Sequence, residues 1–378
     1  MDETKTIQKV LLTGVSGFVG KQVARELLAH GYAVRGLDKT PLPDGVIPPG
    51  QAFEMVYADM TDRLALLAAC DGCQAIIHLA AIPHPLVSNP EDILHTNVVG
   101  TGYLLEAAEK LGIMRFALAS TCCAFGIYFA LKPFDPDFLP LSEAHPAKPH
   151  DLYGLSKLMC EQACQAYTTR TGMATVALRL TSVYDFDNER RNQWAAKQLT
   201  DTARRQNDFW TYIEIADCAR AFRLAIENAP PATFAPVIIA ARDSYSAVDV
   251  RELVALHFPA LSPFVRDLSP TTALYDTRRA EEHMGFVAQN SWRDRPEFAE
   301  IARKDYPPRR KERKERKDRK RRTLVRSRSA TRHRFFIFSE PWCSWRLGGS
   351  IGSAGGDQRG AVQVQHGDKR LSERRLRD

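Results

Sequence analysis

No run of apolar residues in this 378-residue chain approaches the roughly 20 that a membrane-spanning helix needs. Its first residues, MDETKTIQKV, lack the apolar core of a secretory signal. A soluble, cytoplasmic protein is expected. Metal-ligand spacing is missing too. Cys70 and Cys73 form a lone CxxC with no second pair and no histidines at zinc spacing, so no metal site is expected and the pair reads as filler ahead of the apolar stretch QAIIHLAA. The eight cysteines follow no regular spacing and are taken as free thiols.

A uniform charge is also absent. The formal +7 is a sum of opposite parts, because residues 307–378 carry 22 Lys and Arg against 8 Asp and Glu, a net of +14, while residues 1–306 carry 30 against 37, a net of −7. An acidic, enzyme-like body is joined to a basic tail. The tail has no sustained core-forming period and is expected to be disordered. Its run PPRRKERKERKDRKRR contains no aromatic residue on which a base could stack, so a small molecule rather than nucleic acid is the expected partner.

With 44% apolar residues the body can bury a sizeable core. KVLLTG, YAVRGLD, AFEMVYAD, QAIIHLAA, MRFALAS and MATVALRL read as strands, and between them KQVARELLAHG, DRLALLAAC, a long stretch over about Glu91 to Leu111, and YGLSKLMCEQACQAYTTRTG have helical spacing. Regular alternation of this kind implies an α/β fold with a doubly wound parallel sheet of Rossmann type. Residues 1–180 are assigned to that nucleotide-binding domain. Residues 181–306 form a small, shortened substrate lobe, within which 212–245 return to the sheet, and 307–378 are the tail.

Thr13 to Gly20 reads TGVSGFVG, with Gly14, Gly17 and Gly20 in a GxxGxxG turn and Phe18 and Val19 opening the helix. A Cβ at these glycines would block the turn, the approach of a pyrophosphate or the packing of helix on strand. Phosphates would then meet the positive end of the helix. Asp38 ends the second strand, where a carboxylate can accept from the ribose hydroxyls and would repel a 2′-phosphate; NAD is therefore expected over NADP. Asp59 and Met60 at the third strand end would flank the adenine, and Leu79, Ala80 and Ala81 at the fourth would line the pyrophosphate and nicotinamide ribose.

Tyr153 and Lys157, in YGLSK, share one helix face at i, i+4. A free tyrosine is a poor base at neutral pH, and a neighbouring ammonium together with an oxidised nicotinamide favours the phenolate. Thr121, at the end of the strand MRFALAS, offers a hydroxyl that can hold a substrate oxygen beside Tyr153.

TGVSGFVG, Asp38, HLAA at 78–81, NVVGTGYLLEAA at 97–108, YGLSK, LRLTSVY at 178–184 and YIEIADCARAF at 212–222 together resemble the extended short-chain dehydrogenase superfamily, the NAD-dependent epimerase/dehydratase proteins. The resemblance covers about residues 8–297. It implies Thr121 as the catalytic hydroxyl, Tyr153 as acid/base, Lys157 as the cofactor-ribose ligand, Asn97 as a helix brace and a homodimer formed through the two long helices.

Two departures from the family pattern narrow the chemistry. The motif S-x-x-x-YG is here Thr121-Cys-Cys-Ala-Phe125-Gly, and the Asp and Glu that serve dehydratases as a second acid/base are replaced by Cys122 and Cys123. Cys123 matches a cysteine of some 3,5-epimerases, where a thiol can move a proton; the alternative is small apolar filler. Only 27 residues, 185–211, separate Tyr184 from Tyr212, which implies a compact pocket walled by His84, Thr121, Ser182, Tyr184, Arg190, Arg191 and Trp210. The two arginines could clamp a carboxylate. The expected activity is hydride transfer between NAD and a secondary alcohol or ketone of a small sugar-like or secondary-metabolite substrate. An NAD-retaining epimerase and a dinucleotide-sensing binding protein are the rivals.

Overall fold

The computed structural model describes residues 7–188, 197–203 and 205–303. They belong to one of two compact units, Met1–Arg334, and the other, Phe335–Asp378, contains none of them. The tail at 307–378, with Arg190 and Arg191, lies outside the described residues.

The strands are β1 (Lys9–Thr13), β2 (Ala33–Asp38), β3 (Phe53–Tyr57), β4 (Ala75–His78), β5 (Arg115–Thr121), β6 (Ala174–Leu180), β7 (Val183–Tyr184), β8 (Ile213–Glu214) and β9 (Phe234–Ile239). Seven of them form one sheet in the order β3-β2-β1-β4-β5-β6-β9, with every pairing parallel. β7 and β8 make a separate parallel pair. Helices α1 (Phe18–Ala29), α2 (Arg63–Cys70), α3 (Pro90–Leu94), α4 (Gly100–Leu111), α5 (Leu152–Thr171), α6 (Ile215–Asn228), α7 (Val250–His257) and α8 (Arg278–Met284) connect and cover these strands.

Period-two alternation sorts the strand residues onto two cores. Val10, Leu12, Ala75, Ile77, Ala117, Ala119, Val176 and Leu178 pack with Val19, Val23 and Leu27 of α1 and with Phe222 and Ile226 of α6. Leu11, Ile76, Phe116, Leu118 and Ala177 face the other way, onto Leu66 of α2, Leu104 and Leu105 of α4, and Cys160 and Cys164 of α5. A sheet buried on both faces needs side chains suited to burial at every strand position, as β4 has in Ala75, Ile76, Ile77 and the doubly hydrogen-bonded His78. Among the described residues no helix is long and apolar enough to cross a membrane.

The helix expected over Glu91 to Leu111 runs without a break from Pro90 to Leu111 but contains one widened turn. Between α3 and α4 the backbone forms a π-helical turn, His95–Val99. Wider turns of this kind mark functional positions, and this one carries Asn97, whose amide bonds both backbone groups of Ile82 (2.7 and 3.1 Å) and the Ser156 hydroxyl (2.9 Å). The side chain ties the exit of β4 to α5.

A third core belongs to the lobe after β6 and contains Phe209, Trp210, Leu253, Phe258 and Leu274. It also takes in Phe125, Leu139 and Leu141, residues from the range assigned to the nucleotide domain. Leu141 exchanges backbone bonds with Leu274 and Asp276 (2.8 and 2.7 Å), so the loop after β5 runs into the lobe before the chain returns to the sheet.

Candidate active site

The strand order reverses at β1, whose neighbours are β2 and β4; crevices at such points bind ligands in open parallel sheets. Gly14 turns the chain there with φ +73°, and a Cβ on it would lie 2.6 Å from the Ala80 nitrogen. A Cβ on Gly20 would lie 2.1 Å from the Gly14 carbonyl oxygen. Gly17 caps α1 without any side-chain bond, and Phe18, Val19 and Gly20 form the first turn. That leaves the positive end of α1 facing the crevice with no capping side chain of its own.

Asp38 accepts from the Ser16 N–H (3.1 Å) and from the N–H and hydroxyl of Thr40 (3.0 and 2.9 Å), so its carboxylate is aimed beside the glycine turn. Lys39 pairs with Asp59 at 3.8 Å. Burial raises the Asp59 carboxyl, but hydrogen bonds from Thr61 and the charge of Lys39 outweigh it and hold the group below the usual carboxylate range. Met60 is 5% exposed and packs on Gly100, where a Cβ would come within 2.9 Å of its own Cβ; it is a core residue at the sheet edge. Leu79 and Ala80 are pinned by Thr13, through its carbonyl and its hydroxyl, each at 3.2 Å, and Ala81 is half-buried just beyond.

Beneath the crevice runs a directed chain of hydrogen bonds. The Thr101 hydroxyl donates to the Asn97 carbonyl (2.5 Å), so it accepts from His78 Nε2 (2.9 Å). His78 Nδ1 then accepts from Thr13 (2.7 Å), whose oxygen receives the Ala80 N–H. Burial, with the charge of Lys157, pushes the His78 imidazole down to about 3. A neutral ring is what this chain of donors requires.

β5 delivers Thr121 in extended conformation and gives way to a 3-10 turn, Cys122–Phe125. The Thr121 hydroxyl accepts the Cys123 N–H at 3.1 Å and, as a nearby polar group, favours the charged forms of the Tyr153 phenol and the Cys123 thiol. α5 begins at Leu152 with Asp151 as its cap, which puts Tyr153 in the first turn and Lys157 one turn on. Burial lifts the Tyr153 phenol above its ordinary range. Lys157 is 3% exposed, and burial pushes its ammonium below its ordinary value. Among the described residues it has no hydrogen-bond acceptor and no ion pair. A buried ammonium without an acceptor suits a ligand that brings one. Burial drives Cys123 up to about 12 and Cys122 well above its usual value, so both thiols are neutral.

The pocket wall differs from its expected composition. His84 is half-buried, kept neutral by burial, and meets Phe129 edge-on at 5.0 Å. Ser182 and Tyr184 do reach this region, but they are tied inward: Ser182 donates to Asp208 (3.3 Å) and Tyr184 to Gln198 (2.9 Å). Trp210 is no wall at all. It is fully buried, with its indole N–H on the Thr202 carbonyl (3.0 Å), because positive φ at Phe209 and Trp210 folds both rings into the lobe core.

A buried cation of the lobe is Arg205, which bonds Asp208 (3.2 Å from Nε) and the Thr211 carbonyl (2.5 Å) and contacts the Tyr184 hydroxyl. Burial raises the Asp208 carboxyl against the pull of Arg205. Sequence reasoning passed over this pair, whose only signal was its i, i+3 spacing. It also passed over Tyr128, a half-buried phenol within electrostatic reach of Asp208, Arg205 and Cys123. Phe125, where the family motif has tyrosine, is wholly buried under the Arg179 guanidinium at 4.9 Å.

Comparison with known proteins agrees with this geometry. The sequence model of the NAD dependent epimerase/dehydratase family matches residues 10–234. A UDP-glucose 4-epimerase of Corynebacterium glutamicum is 26% identical over 310 residues, 75% of this chain and 92% of that protein. A uronate dehydrogenase of Pseudomonas putida is 30% identical over 182 residues, 48% of this chain and 63% of that protein. Among solved structures, UDP-glucose 4-epimerase from Brucella ovis in complex with NAD superposes with a TM-score of 0.58 at 24% identity, over 79% of this chain and 98% of that one. The chain therefore belongs to the NAD-dependent epimerase/dehydratase family and is an NAD-dependent enzyme built on the extended short-chain dehydrogenase fold.

Proposed function

We propose that the protein transfers a hydride between NAD and a secondary alcohol or ketone of a small, sugar-like substrate, with Tyr153 as acid/base. The observation that carries this reading is the placement of Thr121 at the end of β5 together with Tyr153 and a buried Lys157 in the first turns of α5. In the oxidative direction Thr121 orients the substrate hydroxyl and Tyr153 takes its proton. Lys157 holds the ribose of the cofactor. Gly14, Gly17 and the first turn of α1 seat the pyrophosphate, and Asp38 accepts from the adenosine ribose. NAD, when bound, supplies the hydride acceptor and a positive charge that favours the Tyr153 phenolate. NAD fits better than NADP because Lys39 is already paired with Asp59.

Cys122 and Cys123 stand where dehydratases carry an Asp and a Glu, and the absence of those two carboxylates favours net oxidation or reduction over elimination of water. The short segment 185–211 favours a free sugar or sugar acid over a nucleotide sugar, in keeping with the uronate dehydrogenase relative. The match to a UDP-glucose 4-epimerase along 92% of its length supports a second reading, an epimerase that retains NAD. Purified protein mixed with NAD and a panel of sugars and sugar acids separates the two. Steady NADH accumulation supports the dehydrogenase; isomer formation without net NADH overturns it. The same reading carries a homodimer through α4 and α5, whose outer faces leave Leu111, Leu155 and Met159 about 40% exposed; a monomer mass at micromolar concentration would refute it.

A further inference from the structure

Behind Thr121 and Tyr153 lies a buried ion pair that joins the two elements carrying them. In the parallel register of β5 and β6, Ser120 stands directly beside Arg179, one residue before Thr121. Both reach the same carboxylate on α5. Glu161 Oε1 accepts from the Ser120 hydroxyl at 2.5 Å and from Arg179 Nε at 2.9 Å, and Oε2 accepts from a terminal guanidinium nitrogen at 2.8 Å. Ser120, Glu161 and Arg179 are 3, 3 and 5% exposed. Arg179 also holds the far side of Thr121: its carbonyl accepts the Cys122 thiol at 3.4 Å, and its guanidinium covers the Phe125 ring at 4.9 Å. Thr121 is thus bracketed, by Ser120 before it and Cys122 after it, between residues tied to one ion pair.

We propose that Glu161 is a positioning residue for the reaction, whose ion pair with Arg179 and bond to Ser120 fix the spacing of Thr121 and Tyr153. This rests on the reading of Tyr153 as acid/base. Along α5, Tyr153, Lys157 and Glu161 recur every four residues, so they share one side of the helix, with Glu161 about 12 Å along the axis from Tyr153. α5 meets the end of β5 a second time near its own start, where a Cβ on Gly154 would stand 2.8 Å from the Cys123 carbonyl oxygen. One attachment would let the helix swing about that point. Two of them, about two turns apart, fix both its rotation and its slide along the sheet. Stability alone does not call for charge here. Apolar side chains of similar volume fill such a position as well or better, because burying two charges costs solvation that their attraction only partly offsets. What the pair adds is direction: a bidentate guanidinium–carboxylate contact has one favoured geometry, whereas apolar packing tolerates several.

The test separates holding the fold from holding the geometry. Glu161→Met leaves Arg179 buried without its partner, and both the thermal midpoint and kcat are expected to fall. Adding Arg179→Met removes the stranded charge, so the midpoint should return to the wild-type value or above. In that double variant kcat should stay down by about ten- to a hundredfold, as displacing a reacting group by an ångström does. Ser120→Ala, which leaves the ion pair whole, should lower kcat by about three- to tenfold, the worth of one hydrogen bond, and Ser120→Thr, which restores the hydroxyl, should recover most of it. Turnover is read as NADH or isomer formed from the most active member of the sugar and sugar-acid panel. KM and NAD affinity should change by a few-fold at most, because the glycine turn and Asp38 are untouched. A second readout needs no turnover: in crystals of the NAD complexes, the Thr121 hydroxyl and the Tyr153 phenol should stand further apart in the double variant and in Ser120→Ala than in wild type. A double variant that regains both midpoint and kcat, or that keeps the wild-type separation, would overturn the proposal. Should the double variant not fold, an unchanged kcat or an unchanged separation in Ser120→Ala would overturn it as surely. An active Tyr153→Phe would instead overturn the acid/base reading, and the separation measured in crystals would still decide for or against Glu161.

Discussion

The crevice at the glycine turn and the second lobe are held by different forces. The crevice is shaped by backbone approach at Gly14, Gly20 and Ala80, by apolar strands in strict alternation and by a neutral chain of hydroxyls around His78. In the lobe, buried charge meets buried aromatic rings. Arg205 lies over Tyr184 and Tyr245 at 5.3 and 4.9 Å and pairs with Asp208, and Tyr212 bonds Asp243 (2.7 Å) while accepting the Trp292 N–H (3.0 Å). A crevice for one constant ligand can be specified by steric exclusion. A pocket for a particular substrate needs placed polar groups, and those need partners of their own.

The largest effect is expected where the two regions meet. Tyr153→Phe should lower kcat by about 10²- to 10⁴-fold while NAD affinity, read by protein fluorescence, changes by a few-fold at most. A variant with near-normal turnover would remove the chemistry from this seam. Next comes the lobe itself. Arg205→Leu leaves Asp208 buried without its cation, which should cost about 3–5 kcal/mol in urea unfolding, and the double change with Asp208→Leu should recover most of it. A loss of under about 1 kcal/mol from the single change would mean that charge does not hold the lobe.

The contrast also predicts opposite responses to acid. His78 is neutral in the fold at about 3 against an ordinary 6.5, so the unfolded chain takes a proton first as pH falls. The stability it contributes is present above pH 6.5 and is lost towards 3, roughly 2 kcal/mol of it by pH 5. In the lobe, burial raises Glu143, Asp208, Glu214 and Asp243. There the folded state holds its protons more tightly, and the contribution is full at low pH and falls as pH rises through the folded values. Denaturation midpoints from pH 7 to 5 should decline less steeply in His78→Asn than in wild type; parallel curves would show that His78 is not the sensitive group. The smallest effect concerns the cofactor. Asp38→Ala should raise the NADP to NAD ratio of kcat/KM by roughly tenfold, about 1.4 kcal/mol, and a wild-type preference for NADP would refute the assignment.

The sheet was legible in the sequence because strand and helix periods are local and repeated, and the positions of Thr121 at the end of β5 and of Tyr153 and Lys157 at the start of α5 were legible because each lies at a fixed offset from an element end. The pocket wall was not. Trp210 has the look of a binding residue until the positive φ at 209 and 210 turns its ring inward, and no local pattern announces that turn. Arg205 becomes a buried cation only through Tyr184 and Thr211, and Tyr128 nears the site only because the loop after β5 crosses into the lobe. Contacts between residues far apart in the chain decide these positions. Period and spacing do not reach them.

The hydrogen-bond chain from Ala80 to Asn97 gives the molecule a built-in spectroscopic reporter. The His78 ring proton is held by Thr101 and cut off from bulk water, His78 being 1% exposed, so its exchange waits on local opening of the fold. In proton NMR it should persist as a resolved downfield line. One end of the chain lies against Gly14 at the crevice, and the other passes through Asn97 to the helix that carries Tyr153. Occupancy of either side will shift that single line before any product is formed.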